Sequence, residues 1–232
     1  MCVAFRTGIP RDSLGFAYAA PVVIAAWLDR VLYRRPFEGG SARRYAAAER
    51  PAFGDLDDRL LDGLALDGTR LLLDLGFGPG TFAARAAARH AGLTVMAIDP
   101  SRDFARRRAG LAVARAAGEA LPIADAAIDV AVCLSSIRHV RDRDATLREL
   151  RRVVAPGGRL VIVELDPAAD AARVATHADR LGSPLLRRAF GPLVVRTAPT
   201  AAVIEALAIR AGWRRRAVRA DPVQPVYILE LA

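Results

Sequence analysis

The sequence predicts an α/β fold built on a mostly parallel sheet. Three observations carry that prediction. The stretch from Arg70 to Pro100 sets an apolar strand, a glycine-rich turn, an Ala-rich helix and a second apolar strand in direct succession, closed by Asp99. Further apolar runs alternate with helical stretches to the C-terminus, the pattern of βα units whose strands pair in parallel. With 232 residues, 53% of them hydrophobic and 25% charged, the chain has the material for one such domain and a modest appendage.

Residues 1–53 read as an N-terminal helical segment. Val23, Ala26, Trp27 and Val31 fall at helical spacing within Val22 to Tyr33, with Asp29 and Arg30 opposite. Pro36, Gly39 and Gly40 break that pattern, and Ser41 is placed to cap a second short helix through Arg43, Tyr45 and Glu49. Two readings stand side by side, a layer packed on the sheet and a lid over a site. Asp55 to Leu64 predicts a helix with Leu56, Leu60, Leu61 and Leu64 in one stripe and Asp57, Asp58 and Arg59 outside it. Leu71, Leu72 and Leu73 read as a buried strand closed by Asp74 and Leu75. Gly76, Gly78 and Gly80 alternate after it, so the chain turns where side chains are absent. Residues 81–91 lack Gly and Pro and are rich in Ala, as a helix should be; Gly92 stops them.

Thr94 to Ile98 is the second strand, Leu111 to Arg115 the third and Ile128 to Ser135 the fourth. Asp144 to Val154 predicts an amphipathic helix with Leu147, Leu150, Val153 and Val154 inward. A turn at Pro156, Gly157 and Gly158 leads into a fifth strand, Arg159 to Leu165, whose Glu164 and Asp166 are candidates for substrate contact. Ala168 to Phe190 reads helical, interrupted at Gly182 and Pro184, and is a candidate wall of a substrate pocket. Thr200 is placed to cap a helix over Ala201 to Ala211. Arg214 to Ala220 and Val223 to Leu231 form the last strand pair.

The glycine spacing narrows the ligand. A dinucleotide fingerprint needs Gly-x-Gly-x-x-Gly. Here the third glycine, Gly80, comes one position early, and Thr81 stands where that fingerprint wants glycine. The string DLGFGPG, with Asp99 nineteen positions after Gly80, is followed by GEALPIADAAIDVAVCLSSIRHV and LRELRRVVAPGGRLVIVEL. Together these resemble class I S-adenosylmethionine-dependent methyltransferases, in the branch that includes the ubiquinone/menaquinone methyltransferases. The resemblance runs from about Leu56 to the C-terminus, with its best motifs between Leu71 and Glu164.

That resemblance implies a Rossmann-like sheet of seven mostly parallel strands, the last antiparallel, with helices on both faces and an N-terminal helical extension. It implies a division into a cap or lid, residues 1–53, and a cofactor-binding domain, residues 54–232. It implies S-adenosylmethionine as cofactor. Asp74, Gly76 and Gly78 would hold the methionine end, Phe77 would line the methionine or sulfonium side, and Gly80 would hold the turn into the helix. Asp99, with Pro100 beside it, would meet the ribose hydroxyls; the other reading of Asp99 is a cap for a helix over Ser101 to Arg108. Gly118 and Glu119 fall in the adenine loop, whose usual aspartate is replaced by Ala117. Ser135 would sit near the methionine carboxylate or the methyl group, or simply turn the chain. His139 is the histidine nearest this cleft, a general base or a brace for its loop. The implied function is methyl transfer to an O, N or C atom of a small molecule. An RNA methyltransferase and a non-catalytic cofactor-binding scaffold are the alternatives.

The net charge of +9 and pI of about 10.9 invite a nucleic-acid reading. Yet every basic side chain is Arg, because the sequence has neither Lys nor Asn. The arginine pairs and triplets are scattered and carry no interleaved aromatics for base stacking. They read as solvated helix faces, which makes a nucleic-acid partner unlikely and leaves an anionic substrate or membrane surface open. Cys2 and Cys133 make no disulfide framework or metal spacing, and His90, His139 and His177 add no ligand pattern, so no metal is expected and a reducing cytoplasm fits. The N-terminus lacks a secretory pattern. Phe16 to Leu28, thirteen residues containing Pro21, is too short to span a bilayer.

Overall fold

Among the described residues, the chain forms seven strands, most of them from its apolar runs. They are β1 (Leu71–Leu75), β2 (Thr94–Ile98), β3 (Leu111–Ala114), β4 (Ile128–Leu134), β5 (Val154–Leu165), β6 (Arg215–Ala220) and β7 (Val226–Leu231). A computed structural model describes residues 37–47, 53–106 and 109–232. The helix expected over residues 22–33 and Cys2 lie outside the described residues. The strands form one sheet in the order β3-β2-β1-β4-β5-β7-β6. β1 to β5 pair in parallel, while β7 runs antiparallel to both β5 and β6. This is the implied arrangement, with the last strand of the chain inserted as the reversed one.

Among the described residues, eight helical segments connect and flank the strands. They are α1 (Gly39–Ala47), α2 (Leu56–Gly63), α3 (Thr81–Arg89), α4 (Arg143–Val153), α5 (Ala171–Asp179), α6 (Pro184–Ala189), a π-helical turn (Phe190–Val195) and α7 (Ala201–Arg210). A 3₁₀ turn (Ile137–His139) follows β4. Successive strand residues point to opposite faces, and the core divides accordingly. Leu72, Val95, Val130 and Val161 pack with Leu60 of α2 and Phe82 of α3 on one face. Leu73, Ala131, Cys133 and Ile162 pack with Leu147 and Leu150 of α4 and Ile204 of α7 on the other. Leu72, Leu73, Leu147 and Leu160 are wholly buried. Each such side chain contributes roughly 1.5–3 kcal/mol of burial free energy.

Three local expectations change. α1 starts at Gly39, so Ser41 lies inside its first turn rather than capping it. β5 starts at Val154, which pairs with Ile128; residues 155–158 then bulge, with Gly157 at φ +83°, and pairing with β4 resumes at Arg159 instead of the chain turning away. Asp99 caps no helix; Arg102 to Phe104 form an isolated turn. The Thr200 cap is as read: its Oγ1 accepts from Val203 N at 3.3 Å. α4 has a cap the sequence reading did not name, Asp142, which accepts from Ala145 N at 2.8 Å.

Candidate active site

Parallel strands end together, and their carboxyl ends enclose a cavity of about 340 Å³. Its floor is the chain leaving β1. Gly76 N and Phe77 N both point at Ile98 O of β2, at 2.7 and 3.4 Å. Gly76 stands at φ +73°, and a Cβ there would lie 2.5 Å from the Cβ of Ser136. Only glycine permits that approach. Ser136 Oγ in turn donates to Leu75 O at 2.8 Å and meets Cys133 Sγ at 2.9 Å, tying the end of β4 to the end of β1. Burial pushes the Cys133 thiol up to about 12, so it stays a protonated, inert neighbour.

Asp99 closes β2 at 6% exposure and faces the cavity. Its Oδ2 accepts from Gly78 N at 3.0 Å and its Oδ1 from Ser101 N at 2.8 Å. Burial raises its pKa, and these two backbone donors oppose the rise. Each oxygen keeps a lone pair, so the carboxylate can still accept from a pair of neighbouring hydroxyls.

The loop after β3 forms one wall through Arg115, Ala117, Gly118 and Glu119. A Cβ on Gly118 would lie 2.8 Å from Thr146 of α4, so glycine is needed for the loop to lie flat on that helix. Glu149 and Arg152, also on α4, fix the loop: Glu149 Oε1 accepts from Leu121 N at 2.8 Å, while Arg152 donates to Leu121 O and Ile123 O at 3.2 and 2.8 Å. Arg152 also bonds Glu149 and Asp125. Those two carboxylates raise its pKa, and Arg152 in turn holds Glu149 below the usual carboxylate range. Glu119 Oε1 accepts from Asp142 N at 3.1 Å. Ala117 lines the cavity with no acceptor of its own.

The roof comes from the start of the described chain. Phe37, Glu38 and Tyr45 line the cavity opposite Phe104 and His139. Phe37 meets the His139 ring edge-on at 4.8 Å and Tyr45 at 6.1 Å, and Tyr45 reaches Phe104 at 6.1 Å. Two bonds pin this segment across the mouth: Ser101 Oγ donates to Phe37 O at 2.5 Å, and Gly39 N donates to Asp103 at 2.7 Å. Burial, then the cations of Arg138 and Arg143, depress the His139 pKa to about 4. Its imidazole is therefore neutral across the physiological range, with the lone pair a base needs.

Of the residues singled out in the sequence, Gly76, Phe77, Gly78, Asp99, Pro100, Gly118, Glu119, Ser135 and His139 line this one cavity. Asp74 and Gly80 stand behind it: Asp74 is 2% exposed within β1, and Gly80 precedes the first turn of α3 at φ +79°. Glu164 does not face the cavity. It is fully buried and accepts from Leu165 N and Arg138 N at 2.8 and 3.3 Å. Asp166 turns to Ala168 N, and residues 168–190 contribute no wall. The sequence reading missed Ser136, Phe104, Arg115 and the pair Glu149 and Arg152. The last pair had a visible sign, an acid and an arginine three apart on the predicted helix.

Residues 73–162 match a family described as "Methyltransferase domain". The demethylmenaquinone methyltransferase of Mycolicibacterium paratuberculosis is 35% identical over 160 residues, 64% of this chain and 68% of that protein. The demethylmenaquinone methyltransferase of Thermus thermophilus is 39% identical over 104 residues, 41% of this chain and 47% of that protein. The ubiquinone/menaquinone biosynthesis C-methyltransferase of Syntrophotalea carbinolica is 33% identical over 109 residues, 44% of this chain and 46% of that protein. The chain thus spans about half the length of the last two. Among solved structures, a putative S-adenosyl-L-methionine-dependent methyltransferase from Methanococcus maripaludis aligns with a TM-score of 0.67 at 15% identity, covering 86% of this chain and 94% of that one. An S-adenosylmethionine-dependent methyltransferase from Aquifex aeolicus aligns at 0.63 and 16% identity, covering 82% and 95%. The fold is that of the class I methyltransferases. The chain belongs to the S-adenosylmethionine-dependent methyltransferases, in the branch of the ubiquinone/menaquinone enzymes.

Proposed function

We propose that this chain transfers a methyl group from S-adenosylmethionine to an O, N or C atom of a flat, largely apolar small molecule. The observation that carries this is the convergence of the Gly76–Gly78 floor, buried Asp99 and the Gly118 loop on one cavity with an aromatic roof. The donor set fits the cofactor. Backbone bare of side chains at Gly76 and Gly78 suits the methionine end, with Asp74 and Gly80 holding the loop's shape and Phe77 and Ser135 near the sulfonium. Asp99 suits the ribose diol, with Pro100 stiffening the turn beyond it, and Gly118 and Glu119 border the adenine. The cofactor supplies an activated methyl on a positively charged sulfur. The chain's part is to exclude water and align the acceptor for in-line displacement. The rings of Phe37, Tyr45 and Phe104 suit a planar acceptor, and His139, neutral and among them, suits removal of its proton.

Residues 1–53 then act as cap and residues 54–232 as the catalytic domain. Arginine spread over the surface supports a small-molecule acceptor over RNA, and the buried, reduced Cys133 accords with the cytoplasm. The test is label transfer. Incubating the protein with methyl-labelled S-adenosylmethionine and a panel of hydroxylated and aminated aromatic compounds should give labelled product with one class. S-adenosylhomocysteine binding without any labelled product would favour a scaffold. No binding of S-adenosylhomocysteine by the folded protein would overturn the site assignment itself.

A further inference from the structure

The surface carries a second chemical feature, away from the cavity's own lining. Leu185 and Leu186 of α6 and Leu193 of the π-helical turn are 76%, 56% and 69% exposed. Three large apolar side chains held in water within one nine-residue stretch, 185–193, mark a contact surface. The charge along this stretch of chain, between Asp179 and Glu205, has one sign. From Arg180 to Ile204 the chain carries Arg180, Arg187, Arg188 and Arg196 and no Asp or Glu. Arg173 and Arg210, on the flanking helices, are paired with Asp170 and Asp144. Arg187 and Arg188 are exposed, and neither forms an ion pair among the described residues.

Exposed leucines on one short stretch with Arg187 and Arg188, which form no ion pair among the described residues, match an interface whose one layer is hydrocarbon and whose other layer is anionic. We propose that α6 and the π-helical turn dock on the surface of an anionic lipid bilayer, with the three leucines entering the headgroup–acyl boundary and the arginines on the lipid phosphates. A second copy of the chain fits less well, since a two-fold contact would press the same arginines together. RNA fits less well because the one aromatic ring of the stretch, Phe190, is buried. No helix of the described residues is long and apolar enough to cross a membrane, so the contact is interfacial.

The patch is coupled to the cavity rim. Arg138 donates to Val194 O at 3.0 Å and to Thr197 Oγ1 at 3.4 Å. Arg138 belongs to the same 3₁₀ turn as His139, which lines the cavity. A bilayer on the leucines would bring that rim to a lipid surface, where an apolar acceptor concentrates. The docking itself does not depend on methyl transfer.

Flotation with vesicles tests it. The full chain should float with phosphatidylcholine and phosphatidylglycerol mixed three to one, and far less with phosphatidylcholine alone. Arg187→Gln with Arg188→Gln should weaken partitioning about thirtyfold, ~1 kcal/mol per arginine. Leu185→Ser with Leu193→Ser should weaken it by at least about tenfold, at unchanged net charge. Both variants should bind S-adenosylhomocysteine as the unaltered chain does, which shows that fold and cofactor site are intact. Failure to float overturns the proposal. So does flotation indifferent to the leucines, which would be charge adsorption alone. A dimer that the leucine variant dissociates, without vesicle binding, overturns it in favour of self-association.

Discussion

Gly78 stands at φ +51° on the cavity wall, with Tyr45 3.9 Å from where a Cβ would point. A β-branched side chain there meets backbone strain and would project into the cavity. Gly78→Val should therefore abolish calorimetric binding of S-adenosylhomocysteine while the protein stays folded; unchanged binding would sink the floor assignment. At Ala117 the family's usual carboxylate is missing, and Glu119 already accepts from Asp142 N. A charged acceptor is worth on the order of 1.5–3 kcal/mol, so Ala117→Asp should tighten S-adenosylhomocysteine binding about tenfold or more. An analogue lacking the adenine amino group should bind the unaltered chain almost normally, and strong rejection of it would show that another group already reads the amine. His139 gives a pH signature. Its pKa is about 4 folded against an ordinary 6.5, so between those values the unfolded chain binds a proton that the folded chain refuses. Stability should fall as pH drops through that window and not change on this account above it. His139→Gln should flatten the fall in denaturant titrations run across the window; equal pH slopes for the two proteins would contradict a neutral, buried imidazole.

At the scale of elements, the roof separates two jobs that one cavity combines. Phe37 bonds Ser101 through its carbonyl and packs on His139 and Tyr45 through its ring. Phe37→Ala keeps the carbonyl and removes the ring. It should raise KM for the acceptor about tenfold or more and leave S-adenosylhomocysteine affinity within a few-fold, and an equal loss in both would place the ring over the cofactor instead. The strands were legible because parallel strands buried on both faces read as unbroken apolar runs, as Leu71 to Leu73 and Val130 to Leu134 do. The glycine floor and Asp99 were legible because close backbone approach and a buried acid leave few residue choices. The roof was legible only as one of two readings of residues 1–53, because nothing local in Phe37, Tyr45 and Phe104 says that two distant segments meet. Ser136 was passed over for Ser135 for a similar reason. Ser135, at φ +53°, turns the chain, and that reversal sends the next side chain under Gly76. Glu164 misled because a strand-end acid usually faces the ligand, whereas here the backbone of the 3₁₀ turn claims it.

Over the whole molecule, the excess of +9 is a sum of many small terms and not one field. Arg59 pairs with Asp221, Arg85 with Asp58, Arg89 with Asp62, Arg152 with Glu149 and Arg215 with Glu205, on elements that lie on both faces and the far edge of the sheet. The pairs exposed on both sides, Arg85 with Asp58 and Arg89 with Asp62, contribute little to stability, so salting the protein should cost far less than the number of pairs suggests. A charge excess dispersed this way also attracts polyanions without recognising them. RNA should bind weakly and without regard to sequence, and the affinity should fall steeply as salt rises, because counterion release is then the whole driving force. Filter binding or fluorescence anisotropy with several unrelated RNAs across a salt series will show this. Tight binding of one RNA at physiological salt would require a stacking or base-reading surface, and would shift the acceptor from a small molecule to a nucleic acid.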